Sequence, residues 1–458
     1  MPNYDAIIIG TGQSGPALAR RLVGAGSKVA IIERKLFGGT CVNTGCTPTK
    51  TLIASAYAAH IARRAADYGV TIAGAVKVDM KAVKARKDAV VAPSRNGVER
   101  SLKTLAGCSV YEGHGRFVAE KKVAVNGSEL TADRIFINVG ARAAIPPIPG
   151  LDQVPYLTNS SMMDIDFLPP HLVILGGSYI GLEFGQAYRR FGSEVTVIEL
   201  GPRLIAREDA DVSQAVADFL KDEGIDVRLD SKVIGVEKQG NAIGVKIESA
   251  GKTSQVAGTH VLVAIGRRPN TDDLGLDKAG IATDKHGYIQ VDNQLRTKVS
   301  GIWAMGDCNG RGAFTHTSWN DFEIVAANLL DSDQRRVSDR ITAYALYTDP
   351  PLGRAGMTEA EVRKTGMPAL ISTLAMEDVS RAYEKGETKG FMKILVDRES
   401  KQILGASFLG LSGDEAIHCV LDIMYAKAPY TVMQRAMHIH PTVSEFIPTM
   451  LGDLKPLQ

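Results

Sequence analysis

Hydrophobic positions follow two rhythms along this chain. The continuous apolar run Ile7-Ile8-Ile9 reads as a buried parallel strand; Gly10-Thr11-Gly12-Gln13-Ser14-Gly15, a helical stretch through Val23 and a strand from Val29 to Ile32 ending in Glu33 come after it. This is one βαβ unit. The pattern recurs at Val173-Ile174-Leu175, with Gly176-Gly177-Ser178-Tyr179-Ile180-Gly181, a helix to Phe191, and Val195 to Ile198 closed by Glu199. Gly10 and Gly176, Gly15 and Gly181, Gly26 and Gly192, Val29 and Val195, and Glu33 and Glu199 are each 166 positions apart. From about Ile341 the texture changes, and short alternating segments such as Phe391-Met392-Lys393-Ile394-Leu395-Val396 predict an antiparallel sheet with helices.

Two glycine fingerprints in register, each between a strand and a helix and each closed by an acid at the same distance, predict two nucleotide sites. The first glycine makes a tight turn, the middle one admits a pyrophosphate, and the third lets helix and strand pack closely at a helix N-terminus that attracts anions. Ser178 replaces the middle glycine of the second copy, so its phosphates are slightly crowded. Prolines at Ile145-Pro146-Pro147-Ile148-Pro149-Gly150 and Leu168-Pro169-Pro170 bracket the entry to the second unit, and Val261 to Gly266 reads as a strand leaving it. The expected fold is α/β: two Rossmann-like dinucleotide-binding domains plus a C-terminal α+β dimerisation domain. The expected boundaries are 1–150 for the first domain, to which the chain returns at about 270–338, then 151–269, then 339–458.

At 458 residues and 45% hydrophobic content the chain suffices for roughly three domains with a core each. With 53 basic and 51 acidic residues, a net charge of +2 gives no electrostatic reason to expect nucleic acid or a membrane surface as partner. The N-terminus lacks the positive flank and apolar run of a signal peptide, and no stretch approaches membrane-spanning length, so a cytoplasmic protein is expected.

Five cysteines at irregular spacing do not form a secreted disulfide framework, which fits a reducing compartment. Cys41 and Cys46 sit inside Gly38-Gly39-Thr40-Cys41-Val42-Asn43-Thr44-Gly45-Cys46-Thr47-Pro48-Thr49-Lys50, just downstream of the first fingerprint. In a regular helix residues five apart are separated by roughly 7.5 Å along the axis, beyond the roughly 6.8 Å Cα limit for a disulfide, so a bridged pair requires a bend. Gly45 permits one, and Pro48 suits the first turn of a helix starting there. Zinc is disfavoured by the absence of a second ligand pair, and no metal site is assigned. Taken alone, the spacing leaves a redox pair and two inert buried thiols both open.

Together, Gly39-Thr40-Cys41 through Lys50, the two fingerprints, Gly301-Ile302-Trp303-Ala304-Met305-Gly306-Asp307 and His438-Ile439-His440-Pro441-Thr442-Val443-Ser444-Glu445 resemble the class I pyridine nucleotide-disulfide oxidoreductases, across essentially the whole chain. That family includes glutathione reductase, lipoamide dehydrogenase and mercuric reductase, FAD-dependent homodimers with FAD, NAD(P) and interface domains in this order. The resemblance implies that Gly10, Gly12, Gly15 and Glu33 bind the ADP half of FAD, with Gly39, Thr40, Gly115 and Asp307 also at that cofactor. It implies that Lys50 and Glu183 form an ion pair near the flavin, and that Gly176, Gly177, Gly181, Glu199 and Gly266 belong to the nicotinamide nucleotide. Tyr179 matches a ring that covers the empty nicotinamide pocket and swings aside. Cys41 matches the interchange thiol and Cys46 the flavin-side thiol of a redox disulfide. His440, oriented by Glu445, matches a proton-transferring base that comes from the partner subunit. Cys108, Cys308 and Cys419 have no motif partner and are expected to be buried small apolar residues.

Glu199 stands where a carboxylate binds the ribose 2′-hydroxyl of NADH and repels the 2′-phosphate of NADPH. NADH is therefore expected over NADPH, although Arg203 and Arg207 lie nearby. The segment Phe314 to Phe322 is similar to mercuric-reductase-like and reactive-chlorine-resistance flavoproteins, implying a small-molecule disulfide, oxidised thiol or metal-thiolate substrate. No cysteine comes after Cys419 and no N-terminal metal-binding domain is seen, which argues against efficient mercury turnover. Lipoamide dehydrogenase and glutathione reductase are the competing activities; a redox-sensing flavoprotein without turnover is the alternative of another class.

Overall fold

The computed structural model describes residues 2–457. The first sheet is built on Asn3–Ile9, with Val29–Glu33 and then Cys108–Glu112 parallel to it on one side and Ser128–Ile137 parallel on the other. Ser128–Ile137 is long enough to serve two neighbours on its outer edge. Its first half pairs with the antiparallel strand Lys122–Val125, and its last residues pair in parallel with Ile302–Ala304. The chain thus comes back to its first sheet after the second unit.

Both faces of this sheet are covered, which is why Ile7-Ile8-Ile9 shows no polar alternation. Ile7 and Ile9 belong to one core cluster and Ala6 and Ile8 to another on the opposite face. The second unit repeats the plan in a five-stranded parallel sheet ordered Asp226–Arg228, Glu194–Ile198, His171–Leu175, His260–Val263, Tyr156–Leu157. Three antiparallel strands, Lys232–Gln239, Ala242–Ser249 and Lys252–Gly258, form a separate sheet beside it. The two crossings between the units pair with each other, Ala141–Ala143 against Arg267–Pro269. The C-terminal region is a six-stranded sheet whose pairings are all antiparallel, with the helix Gly413–Tyr425 packed against it.

One element ties the parts together. The helix Cys46–Arg63 buries Leu52 and Ala56 in the same core as Leu182, Phe184 and Tyr188 from Tyr179–Phe191, the helix of the second unit. The cysteine segment therefore runs along the seam between the two nucleotide units. Two cysteines depart from expectation: Cys308 is buried, but Cys108 lies on the edge strand of the first sheet and is only half-buried, as is Cys419. An edge strand has a neighbour on one side only, which leaves part of its surface open.

Candidate active site

Local chain geometry explains how Cys41 and Cys46 meet. A short helix, Gly39–Asn43, carries Cys41, and a new helix begins at Cys46 after a break at Thr44 and Gly45. A Cβ on Gly45 would sit 2.9 Å from the Thr40 carbonyl oxygen and 3.2 Å from the Cys41 Cα, so the fold-back needs glycine there. Pro48 lies in the first turn of the second helix, where its missing N–H costs nothing. Both cysteines are free thiols in this structure, close enough for Cys41 to hydrogen-bond Cys46.

That contact splits their acidities. The hydrogen bond from Cys41, a second polar contact of 3.0 Å with Thr315 Oγ1 and the Lys50 charge bring the Cys46 thiol down to about 6, against the opposing effect of burial. The same hydrogen bond, with burial, pushes the Cys41 thiol far up. The pair titrates together, and its contacts favour the thiolate at Cys46 over Cys41. Lys50 Nζ lies 2.7 Å from Glu183 Oε2 and 4.4 Å from the centre of the Tyr347 ring, while Glu183 Oε1 accepts from the Tyr347 N–H at 3.2 Å. Glu183 is nearly buried, so this ion pair is better shielded from solvent than an ordinary surface pair.

These groups line a cavity of about 1300 Å³ that reaches the first glycine loop. Gly10, Gly12, Glu33, Gly39, Thr40 and Gly115 line one end; Cys41, Cys46, Lys50, Tyr179, Glu183 and Asp307 also face it. Gly15 acts from behind: a Cβ there would lie 2.3 Å from the Gly10 carbonyl oxygen. Asp307 comes from a short turn, Gly306–Asn309, that Asp321 holds by accepting from the Gly306 N–H at 2.8 Å and Asn309 Nδ2 at 2.9 Å. Burial raises the Asp307 pKa against the pull of Arg267, whose guanidinium lies 3.2 Å away and whose own Nε is buried without a partner among the described residues.

The other predicted residues lie elsewhere. Gly176, Gly177, Gly181 and Glu199 form the second loop, outside this cavity, and Gly266 sits in the crossing between units. The two glutamates are held alike. Glu33 Oε2 accepts from Thr11 N (3.0 Å) and Oε1 from Lys35 N (2.8 Å), while Glu199 Oε2 accepts from Gly177 N (2.6 Å) and Oε1 from Gly201 N (2.8 Å). A carboxylate has roughly four acceptor positions, so each keeps capacity for a ribose.

His440 and Glu445 are paired, with Nδ1 3.0 Å from Oε2 and 3.1 Å from Oε1, but they do not line the cavity of their own chain. The His440 side chain is 73% exposed, and its neighbours Met437 and Ile439 are 98% and 80% exposed, an apolar surface of the kind that meets a partner. Thr315, Tyr347, Arg267 and Tyr344 also line the site; sequence reasoning passed over them because each owes its place to tertiary contacts and none sits in a spaced motif.

The fold, the two nucleotide loops and the paired cysteines define a flavin-type, nicotinamide-linked disulfide oxidoreductase. Comparison with known proteins agrees: residues 4–321 match the family "pyridine nucleotide-disulphide oxidoreductase" and residues 342–451 match its dimerisation domain, so the chain belongs to this FAD-dependent, NAD(P)H-using family. Among its relatives, the probable pyridine nucleotide-disulfide oxidoreductase RclA of Escherichia coli strain K12 is 36% identical, covering 99% of this chain and 100% of the relative. A mercuric reductase of Bacillus cereus is 32% identical over 95% of this chain and 71% of its own length, and a dihydrolipoyl dehydrogenase of Chlamydia muridarum 31% over 96% and 95%. The solved structure described as the Cu(II) complex of the HOCl-induced flavoprotein disulfide reductase RclA from Escherichia coli superposes with a TM-score of 0.90, at 35% identity and 99% coverage of both chains. No helix among the described residues is long and apolar enough to cross a membrane.

Proposed function

We propose that this chain is an NADH-dependent reductase that carries an electron pair through FAD to the Cys41 and Cys46 pair and on to an oxidised thiol species or a thiol-bound metal. The observation that carries this reading is the setting of Cys46: its sulfur lies 3.0 Å from Thr315 Oγ1, in one cavity with Cys41 and the Lys50–Glu183 ion pair. A pair of inert structural thiols has no need of a hydrogen-bond donor, a hydroxyl and a lysine charge around one sulfur.

The residues present suit FAD. The loop Gly10 to Gly15 sets glycines at positions 10 and 12 before a helix N-terminus, Gly39 approaches it so closely that a Cβ would sit 2.9 Å from Gly12 Cα, and Arg267 has a buried donor with no partner among the described residues. Glu33 would take the ribose, the glycine loop the pyrophosphate, and Asp307, Lys50 and Thr315 the flavin end. Bound there, FAD supplies two-electron transfer between a nicotinamide and a disulfide. Lys50 holds positive charge beside Cys46, with Glu183 fixing its position. Cys46 is the sulfur whose surroundings favour the thiolate, and Cys41 is the thiol that must lose a proton to attack an acceptor. His440 of a second copy is the base for that proton, Glu445 orienting its ring. The active unit is therefore a homodimer with a shared site, each chain divided into an FAD domain, a nicotinamide-nucleotide domain and an interface domain.

Glu199 supports NADH over NADPH by its charge at the end of the second loop. Cu(II) and HOCl appear in the description of the similar structure, so Cu(II)-thiolate and hypochlorite-oxidised thiols are the first acceptors to try. The test is a turnover panel with NADH and NADPH against these acceptors, lipoamide, oxidised glutathione and mercuric ion. NADH-driven reduction of a thiol-linked species is expected; exclusive turnover of dihydrolipoamide with NAD would instead place the chain with the lipoyl dehydrogenases.

A further inference from the structure

The Tyr179 ring packs against an aromatic cluster. It meets Tyr344 edge-on at 5.6 Å between centroids and 83°, and Phe314 at 6.2 Å and 86°. Tyr344 and Phe314 stack on each other at 5.6 Å, and Phe314 stacks on His316 at 5.3 Å. These rings come from three parts of the fold: the helix of the second nucleotide unit, the start of the helix Thr315–Leu330, and the strand Ala343–Leu346 of the C-terminal sheet.

Only one of the three rings in direct contact is anchored by a hydrogen bond of its own side chain. The Tyr344 hydroxyl donates to Glu208 Oε1 at 2.7 Å, and Glu208, fully buried, is held in turn by the buried Arg354 through its Nε at 3.1 Å from Oε2. The Tyr179 hydroxyl is buried beside Tyr344 and, among the described residues, makes no hydrogen bond of good geometry. Burying an unmade hydrogen bond carries a cost that swinging into water relieves. Tyr179 is thus pressed against a fixed wall yet released at small cost.

We infer that Tyr344, pinned by Glu208 and Arg354, is a positioning residue that sets how firmly Tyr179 closes the nicotinamide pocket. The inference rests on the reading of Tyr179 as the mobile cover. When a binding-competent state is only partly populated, apparent affinity falls by that fraction, so a looser cover binds nucleotide more tightly. Phe314 precedes Thr315, the residue in contact with Cys46, so the same wall borders the redox thiol.

The experiment uses the FAD-loaded dimer and four forms: wild type, Tyr344→Phe, Tyr179→Ala and the double variant. NAD binding is measured at equilibrium, and KM and kcat with NADH are measured separately. Tyr344→Phe keeps the ring and removes the anchor together with the hydroxyl that faces Tyr179; it should lower the NAD Kd and the NADH KM about three- to tenfold, a fraction of what a hydrogen bond to a charged group is worth, with a much smaller change in kcat. In the Tyr179→Ala background the same change should add nothing. If Tyr179→Ala tightens binding and Tyr344→Phe does not, the cover stands and the anchoring role is wrong. An unchanged Kd in Tyr179→Ala overturns both. A full Tyr344→Phe effect in the double variant, or loss of kcat together with a raised KM, shows that Tyr344 acts on folding or on nucleotide directly, and the inference fails.

Discussion

The two nucleotide units have nearly the same backbone and very different surroundings. Gly10 and Gly176 take φ of 105° and 108°, and a Cβ on either would strike a carbonyl oxygen, that of Asn138 at 2.3 Å or Ala264 at 2.6 Å. The third glycines are equally constrained, and the closing glutamates make equivalent backbone hydrogen bonds. The units diverge just beyond those glutamates. After Glu33 the chain builds the short cysteine helix, the Gly45 break and the long helix Cys46–Arg63, which wall in the first loop. After Glu199 it runs through a loop into the helix Ala210–Asp222 and leaves the second loop outside the large cavity. On the proposed reading, a shared phosphate-binding backbone would serve a resident cofactor in the first unit and an exchanging one in the second, and the difference lies in the segment packed beside each loop.

The largest effects should come from breaking one copy at a time. Gly10→Ala should yield protein that holds no flavin and shows no turnover. Gly176→Ala should keep its flavin but lose at least about a hundredfold in kcat/KM for NADH, since displacing the facing carbonyl strains the loop. Flavin absorbance per chain and steady-state kinetics check both, and flavin loss from Gly176→Ala would show that the two units are not separate in function. Next in size is His440→Ala, expected to slow the thiol half of the cycle by about a hundredfold or more while NADH-driven flavin reduction, monitored by stopped flow, stays nearly unchanged. Equal loss in both halves would remove His440 from proton transfer.

A smaller effect sharpens the contrast at the sulfur. In the reduced enzyme the Cys46 thiolate persists above about pH 6 and is lost as pH falls through that value, because the folded-state pKa lies below that of a free thiol. Lys50→Met should move the midpoint of the thiolate absorbance upward by roughly one pH unit, its charge being one of several causes. An unmoved midpoint would leave the Cys41 hydrogen bond and Thr315 as the whole explanation.

Much of this was legible in the sequence because it depends on local spacing. The 166-residue repeat located both loops, the observed strands Val29–Glu33 and Glu194–Ile198 fall within a residue of the predicted ones, and the helix Tyr179–Phe191 ends at the predicted residue. The pairing of His440 with Glu445 is likewise local, both residues flanking one turn before the helix Phe446–Gly452. The features that escaped notice depend on contacts between distant segments. Thr315 reaches Cys46 only because the returning chain aims the start of its helix at the cysteine segment 269 positions away, and Tyr344 reaches Glu208 across 136. The helix Met80–Lys103 escaped too, its mean polarity and the internal Pro93 hiding it, although Asp79 caps it by accepting from Lys81 N and Ala82 N.

The route of the electrons is tested most directly by anaerobic titration of the wild type and Cys46→Ser with NADH, read out as absorbance at long wavelength. The wild type should develop a band from the Cys46 thiolate beside the flavin, and the Cys46→Ser protein, with equal flavin content, should bleach without one. A wild type that bleaches with no such band, or a variant that keeps it, would contradict passage of electrons through this pair.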